Sequence, residues 1–150
     1  MTREQPQIYI ASSWRNVHAV KMLTEKLRAA GFKVVSFVEN AYEENLFPAG
    51  KFDFDEWIAS DLGQKAFEYD TDGARLSDAI VYLSPSGCDA WAEVGIAWGS
   101  HVPVFGLHAK GEQVGLMRRL VVEWFKDHNE LIAALQLFFH LIPAPEGAEG

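Results

Sequence analysis

The chain has 150 residues, of which 49% are hydrophobic and 23% charged, and its formal net charge is −8. This composition is typical of one soluble globular domain, and the negative charge excludes a protein that binds nucleic acid through a basic face. The single cysteine, Cys88, excludes an intrachain disulfide and a cysteine-based zinc site, and it favours a reducing compartment, so we expect a cytoplasmic protein.

The predicted elements alternate between strands and helices from the start of the chain. Residues 8–11 are a short apolar run typical of a buried strand. Apolar residues at helical spacing then predict a helix that stops at Gly31, and residues 33–38 predict a second strand. A β-α-β unit within about 30 residues indicates a parallel crossover.

The same alternation continues to the end of the chain. The predicted segments are, in order, a loop (39–51), a helix (53–69), a strand (79–83), a turn (84–88), a helix with Asp89 as N-cap that ends near Gly99, a strand (103–107), a short helix (112–119), a strand (120–124) and a last helix (129–142). Residues 143–150, rich in Pro, Ala, Gly and Glu, are expected to form a disordered tail.

This pattern predicts a single α/β domain over residues 1–142. Its core is expected to be a doubly wound, five-stranded parallel sheet in the flavodoxin-like order 2-1-3-4-5, with helices on both faces. In that order, ligands bind at the carboxyl ends of strands one and three. The loop at Ser12 and the loop at Ser86 should therefore border one crevice.

The loop after the first strand carries polar groups suited to a phosphate or a ribose. Ser12, Ser13, Arg15 and Asn16 precede a helix, and helix N-termini offer free N–H groups and a partial positive charge. The alternative is that Ser13 only caps the helix and Arg15 is solvated.

Glu93 is the strongest candidate for chemistry. It falls in the first or second turn of the helix after strand three, where the helix dipole is expected to keep it ionised. An oriented carboxylate is the nucleophile that an anomeric carbon needs. An ordinary acid at a helix N-terminus is the alternative, but the neighbours of Glu93 are apolar, and a lone acid among them needs a partner or a purpose.

Other side chains could complete such a site. Asp70, Asp72 and Asp78 form an acidic stretch before strand three, and one of them could handle a leaving base, although solvent-facing loop charges are the alternative. Aromatic residues such as Trp57 and Trp14 could stack on a base or simply belong to the core. The five histidines lack metal-ligand spacing, and no P-loop or dinucleotide fingerprint is present, so we expect no metal and no cofactor.

Three segments together resemble the nucleoside 2-deoxyribosyltransferase family. They are residues 8–16, Asp70 placed eight residues before the segment 78–81, and residues 86–97 followed by Pro103 and Val104. The glutamate, glycine and alanine at positions 93, 95 and 97 are the specific part. The resemblance implies the α/β fold and the exchange or hydrolysis of the N-glycosidic bond of deoxynucleosides or their monophosphates, without metal or cofactor.

The resemblance also implies residue roles. Glu93 corresponds to the family's nucleophile, Tyr9 to its orienting tyrosine and Asp70 to its base-side aspartate, with Asp72 as the alternative for the last. Where many members have a sugar-binding aspartate, this chain has Gly87, and Asp89 lies nearby. The full set of predicted substrate-binding residues is Ser12, Ser13, Arg15, Asn16, Trp57, Asp72, Ser86, Gly87 and Asp89.

Two other functions stay open at this stage. TIR domains share the architecture and, in NAD-cleaving members, place a glutamate much as this chain places Glu93, so NAD is an alternative substrate. A nucleotide-binding signalling module without turnover is the other. In each case the partner is a small molecule, with no nucleic acid and no membrane. A homodimer or higher homo-oligomer is expected because residues 131–142 are apolar almost all round, and the related transferases complete their sites across subunits.

Overall fold

The computed structural model describes residues 5–43, 53–112 and 115–141. Its strands are β1 (Gln7–Ala11), β2 (Lys33–Val35), β3 (Ala79–Leu83), β4 (Val104–Leu107) and β5 (Glu123–Phe125). Its helices are α1 (Val17–Ala29), α2 (Phe37–Glu43), α3 (Phe54–Ile58), α4 (Asp61–Leu76), α5 (Cys88–Gly99) and α6 (His128–Phe138), with 3-10 turns at Trp14–Asn16 and Leu116–Leu120. The predicted disordered tail at 143–150 lies outside the described residues.

The sheet confirms the predicted fold class and strand order. All five strands are parallel, in the order β2-β1-β3-β4-β5. Strands β1 and β3 lie inside the sheet, where every residue of β3 and four of the five in β1 are buried. This burial explains why both strands are apolar runs in the sequence. Strands covered by helices on both faces are apolar along their whole length.

The two faces of the sheet carry different helices. Because successive strand residues point to opposite faces, Ile8 and Ile10 pack with residues of α1 and α6, whereas Tyr9 packs with residues of α4 and α5. The phenol of Tyr9 is therefore directed at the helices that carry Asp70 and Glu93. A cis peptide bond joins Ser84 to Pro85 at the end of β3.

The second strand is shorter than predicted. It ends at Val35, and α2 begins at Phe37, where the amide of Asn40 donates to the carbonyl of Ser36. Phe37 and Val38 are buried as helix residues. A short apolar run does not distinguish a buried strand from a buried helix turn, so both the predicted strand at 36–38 and the start of the predicted loop at 39–51 are wrong.

The helix predicted over residues 53–69 is two helices. α3 ends at Ile58, and the hydroxyl of Ser60 caps α4 by accepting from the amide of Gly63. α4 then continues to Leu76 instead of ending near Tyr69. This extension places Asp70 and Asp72 on a helix rather than in an acidic stretch before β3, and their spacing along the helix points them in different directions.

Smaller differences occur at helix ends. Gly87, not Asp89, is the N-cap of α5. The segment predicted as a helix at 112–119 contains only the 3-10 turn Leu116–Leu120, and β5 begins at Glu123 rather than at residue 120. α6 begins after Asp127, whose carboxylate accepts from two backbone amides, and ends at Phe138. Among the described residues, every helix is too short or too polar to cross a bilayer.

Candidate active site

A cavity of about 270 Å³ lies between α3, α4 and α5. Its walls are largely apolar and aromatic, and three carboxylic acids line it together, which are Asp70 from α4 and Asp89 and Glu93 from α5. The apolar lining is Phe54, Trp57, Ile58, Ala66, Phe67, Ala92 and Ile96. An apolar pocket with a few convergent polar groups is typical of a ligand site.

Tyr9 and Glu93 are joined at this cavity. The Tyr9 hydroxyl donates a hydrogen bond of 2.6 Å to Glu93 Oε1. Tyr9 is fully buried in β1, and Glu93 is 9% exposed on the second turn of α5. Asp70 interacts with the same hydroxyl from α4. The sheet thus supplies a rigid phenol between two carboxyl groups on neighbouring helices.

Gly73 allows α4 to approach Tyr9 closely. A Cβ at this position would lie 2.5 Å from Tyr9 Cδ2 and 2.7 Å from Tyr9 Cε2. Any larger residue would therefore push the ring or the helix away. Sequence reasoning missed Gly73, although a glycine inside a helix is a signal for such a close approach.

Burial sets the charge of Glu93. Removal from water raises the pKa of Glu93 to about 8, even though the Tyr9 hydrogen bond acts in the opposite direction. A helix dipole contributes at most about 1 kcal/mol at an ordinary terminus, which is too little to offset this burial. The expectation that the start of α5 keeps Glu93 ionised is therefore wrong.

The other two members of the cluster respond in the same way. Burial, with a further contribution from the charge of Asp89, raises the pKa of Asp70 to about 6. Burial and the charge of Glu93 raise the pKa of Tyr9 well above its usual value, so the phenol stays a neutral donor. Near neutral pH the two carboxyl groups together hold one proton, shared around the Tyr9 hydroxyl.

The loop after β1 forms hydrogen bonds within the protein. The Ser12 hydroxyl donates to the carbonyl of Leu83 (2.8 Å) and accepts from the Asn16 amide (3.0 Å), which also donates to the carbonyl of Pro85 (2.7 Å). Ser13 caps the following turn by accepting from the amide of Arg15, whose side chain is exposed. These four residues are absent from the cavity lining, and their predicted contacts with a ligand stay a prediction.

The remaining predicted residues divide into two groups. Trp57 and Asp89 line the cavity. Asp72 is on the exposed side of α4, where it forms a 2.7 Å ion pair with Arg75. Gly87 is exposed, and Ser86 Oγ is buried without a hydrogen bond of normal geometry, near the Tyr82 hydroxyl.

Sequence reasoning also missed the role of Glu112. Its carboxylate accepts from the Tyr82 hydroxyl (2.7 Å), the Ser84 hydroxyl (2.8 Å) and the Trp91 indole N–H (3.0 Å). Burial opposes ionisation, but these hydrogen bonds hold the pKa of Glu112 below its usual value. Glu112 thus ties its loop to the end of β3 and to the first turn of α5, and no local pattern in the sequence indicates this.

Within the described residues, no group of three or more His, Cys, Asp and Glu side chains is arranged to hold a metal ion.

Solved structures of other proteins share the fold. A 2-deoxyribosyltransferase from Bacillus psychrosaccharolyticus aligns with a TM-score of 0.60 and 22% identity, over 84% of this chain and 90% of its own. The CMP N-glycosidase of Clostridium botulinum aligns with a TM-score of 0.54 and 15% identity, over 87% and 98%. A conserved protein from Enterococcus faecalis V583 aligns with a TM-score of 0.62 and 17% identity, over 89% and 99%. No protein-family model and no curated protein matches the chain.

Proposed function

We propose that this protein cleaves or transfers the N-glycosidic bond of a nucleoside-type ligand in the cavity between α3, α4 and α5. The observation that carries the proposal is the buried Glu93 carboxyl held by the Tyr9 hydroxyl beside Asp70 at an aromatic-lined cavity. The fold shared with a 2-deoxyribosyltransferase and a CMP N-glycosidase supports it.

Glu93 is the nucleophile of the proposed reaction. Its ionised carboxylate attacks C1′ of the sugar, or stabilises the positive charge that develops there, as the bond from C1′ to the base nitrogen breaks. The Tyr9 hydrogen bond fixes one carboxylate oxygen and leaves the other free to face the ligand. The electron pair of the broken bond leaves with the base.

Asp70 handles the proton of the leaving base. In the state of the cluster with one proton, Asp70 protonated and Glu93 ionised, Asp70 delivers that proton to the base nitrogen. Water or a second base then attacks C1′, frees Glu93 and returns a proton to Asp70. Burial raises the pKa of Asp70 to about 6 and that of Glu93 to about 8, so near neutral pH the proton lies mainly on Glu93, and the reaction uses the minor form in which it has moved to Asp70.

The aromatic wall gives the base a place to bind. Phe54 and Trp57 lie on α3 with ring centroids 6.1 Å apart, and both line the cavity together with Phe67 of α4. Flat apolar rings suit a planar base, because stacking buries both faces. Asp89, in the first turn of α5, lines the cavity and is the candidate to accept a hydrogen bond from a sugar hydroxyl.

The test measures by chromatography whether the protein releases free base from nucleosides, deoxynucleoside monophosphates and NAD. Glu93→Gln keeps the shape of the side chain and removes its charge, so turnover should fall by at least about a hundredfold, while binding of a neutral nucleoside should stay within a few-fold of the original. Glu68→Gln, on the exposed side of α4, is the matched control and should retain full activity.

Each other outcome has a clear meaning. Wild-type base release by Glu93→Gln refutes the assignment of Glu93. Binding of a nucleoside without any base release favours the non-catalytic module. Release of nicotinamide from NAD alone assigns the same cavity to NAD cleavage.

A further inference from the structure

The cavity has an unusual charge for a nucleotide site. Among its described lining residues are three carboxylic acids, Asp70, Asp89 and Glu93, and neither a lysine nor an arginine. Two arginines elsewhere are committed to ion pairs, Arg28 with Glu39 and Arg75 with Asp72. A phosphate placed among these acids would be repelled, whereas a cation would be attracted.

Two polar side chains of the loop after β1 that could contact a phosphate already form hydrogen bonds within the protein. The Ser12 hydroxyl and the Asn16 amide bond to each other and to the carbonyls of Leu83 and Pro85. Breaking these bonds to hold a ligand would leave the partly buried carbonyls of Leu83 and Pro85 unpaired, which is unfavourable. The Ser12 hydroxyl and the Asn16 amide are therefore not free to hold an anion without loss of these bonds.

The aromatic wall suits a cationic ring as well as a neutral one. Phe54 and Trp57 of α3 and Phe67 of α4 line the same cavity as the acids. A positively charged planar ring gains both from the faces of such side chains and from carboxylates nearby.

We propose that the preferred ligand is a nucleoside whose base carries a fixed positive charge, as in an N-ribosylpyridinium, and whose sugar carries no phosphate. This inference rests on the proposed function and names the ligand class of the same cavity. Asp70, Asp89 and Glu93 select the charge, and the aromatic wall selects the planar ring.

A cationic base simplifies the reaction. The bond from C1′ to the charged nitrogen breaks, both electrons go to nitrogen, and the base leaves neutral without needing a proton. Glu93 forms the bond to C1′, and water then attacks C1′, freeing Glu93 and giving its proton to Asp70 or to solvent. Formation of a neutral base from a cation inside an acidic cavity also favours release of the product.

Ligand charge and the protonation of the cluster are linked. Glu93 faces Tyr9 of β1, Asp70 of α4 and Asp89 of α5, so its charged neighbours in the described part of the chain are acids. Binding of a cation should expel the proton of Glu93, whereas binding of a neutral ring should not. Affinity for the cation should therefore rise by about tenfold per pH unit below the pKa of Glu93 and level off above it.

The test uses two rings that cannot be cleaved, the cation 1-methylnicotinamide and neutral nicotinamide, with calorimetry from about pH 6 to pH 9. The cation should bind at least about tenfold more tightly at the alkaline end, and its affinity alone should rise with pH. Glu93→Gln should flatten that rise, and Glu68→Gln should preserve it. Nicotinamide riboside should likewise bind more tightly than its 5′-monophosphate.

Equal affinity for the two rings at the alkaline end, or tighter binding of the monophosphate, overturns the inference. Because neither ring can react, the comparison between the two rings is independent of turnover. If Glu93-dependent base release from neutral nucleosides is found without a cation preference, only the ligand class is wrong. If the cation preference is found but the original protein releases no base from any of these ligands, only the proposed function is wrong.

Discussion

At the scale of single residues, the central feature is one proton shared by two buried acids. Burial raises the pKa of Glu93 to about 8 and the pKa of Asp70 to about 6, and the Tyr9 hydroxyl lies between them. Between these values the pair carries one proton, mainly on Glu93, and when the base must be protonated the proposed reaction uses the minor form in which this proton lies on Asp70.

The pH dependence of base release should follow from this pair. For a neutral nucleoside, kcat/KM should be bell-shaped, falling below about pH 6 as both acids become protonated and above about pH 8 as both ionise. Asp70→Asn should remove the alkaline fall, whereas Asp72→Asn, on the exposed side of the same helix, should keep the bell. A flat profile over this range would contradict the shared proton.

The same pKa shift has a consequence for stability. An acid whose pKa is raised in the folded state binds more protons folded than unfolded, here between its usual value of 4.5 and about 8. Stability is therefore lost as the pH rises through this window. Glu93→Gln should be more stable than the original protein by on the order of 1–3 kcal/mol at about pH 8.5.

Urea unfolding at two pH values checks this prediction. The difference between Glu93→Gln and the original protein should shrink as the pH falls towards 4.5 and vanish below that value, where Glu93 is protonated in both the folded and the unfolded state. Glu68→Gln should show no such dependence. A variant that loses activity but gains stability indicates a residue kept for function.

At the scale of elements, the contact between α4 and β1 sets the position of the phenol. Gly73→Ala would force a methyl group to within 2.5 Å of the Tyr9 ring. We expect it to destabilise the protein by about 1–3 kcal/mol and to lower base release by at least about tenfold, because Tyr9 no longer holds Glu93 in place.

The matched control for Gly73→Ala is Gly99→Ala. Gly99 ends α5, and no described atom lies within 4 Å of a Cβ built there. This variant should keep wild-type stability and activity. Base release by Gly73→Ala at the wild-type rate would show that the close approach has no bearing on the site.

At the scale of the whole molecule, a second cavity of about 430 Å³ lies away from the acids, between the end of α5, the segment before β5 and α6. Several apolar side chains around it are more than half exposed, namely Trp98, Val122 and Phe138, with Leu116 and Met117 nearby. Apolar surface of this kind is typical of a protein interface.

The predicted homo-oligomer should form through this surface. Light scattering should give at least twice the mass of the chain at micromolar concentration, and Trp98→Glu should reduce the mass to that of a monomer by placing a charge in the interface. Met22→Glu, at an exposed position of α1, is the control and should not change the mass. A monomer for the unmodified protein at this concentration would refute the prediction.

The architecture of the whole chain could be predicted because its signals are local. Buried parallel strands are apolar runs, and the helices between them have their own spacing and caps, so the β-α alternation and the order of the sheet follow from short segments. The errors at residues 36–38 and at Ser60 arose where a short segment is compatible with two structures, and only packing against neighbours decides between them.

The sequence by itself determined the fold class, the alternation of elements and the candidacy of Glu93, an acid among apolar neighbours. Only the tertiary structure decided that Asp70 rather than Asp72 lines the cavity, that Gly73 lets Tyr9 reach Glu93, and that Glu93 is not ionised by its helix. The physical reason is that burial and close contact depend on atoms brought from distant segments, whereas strand and helix patterns depend on residues close together in the chain.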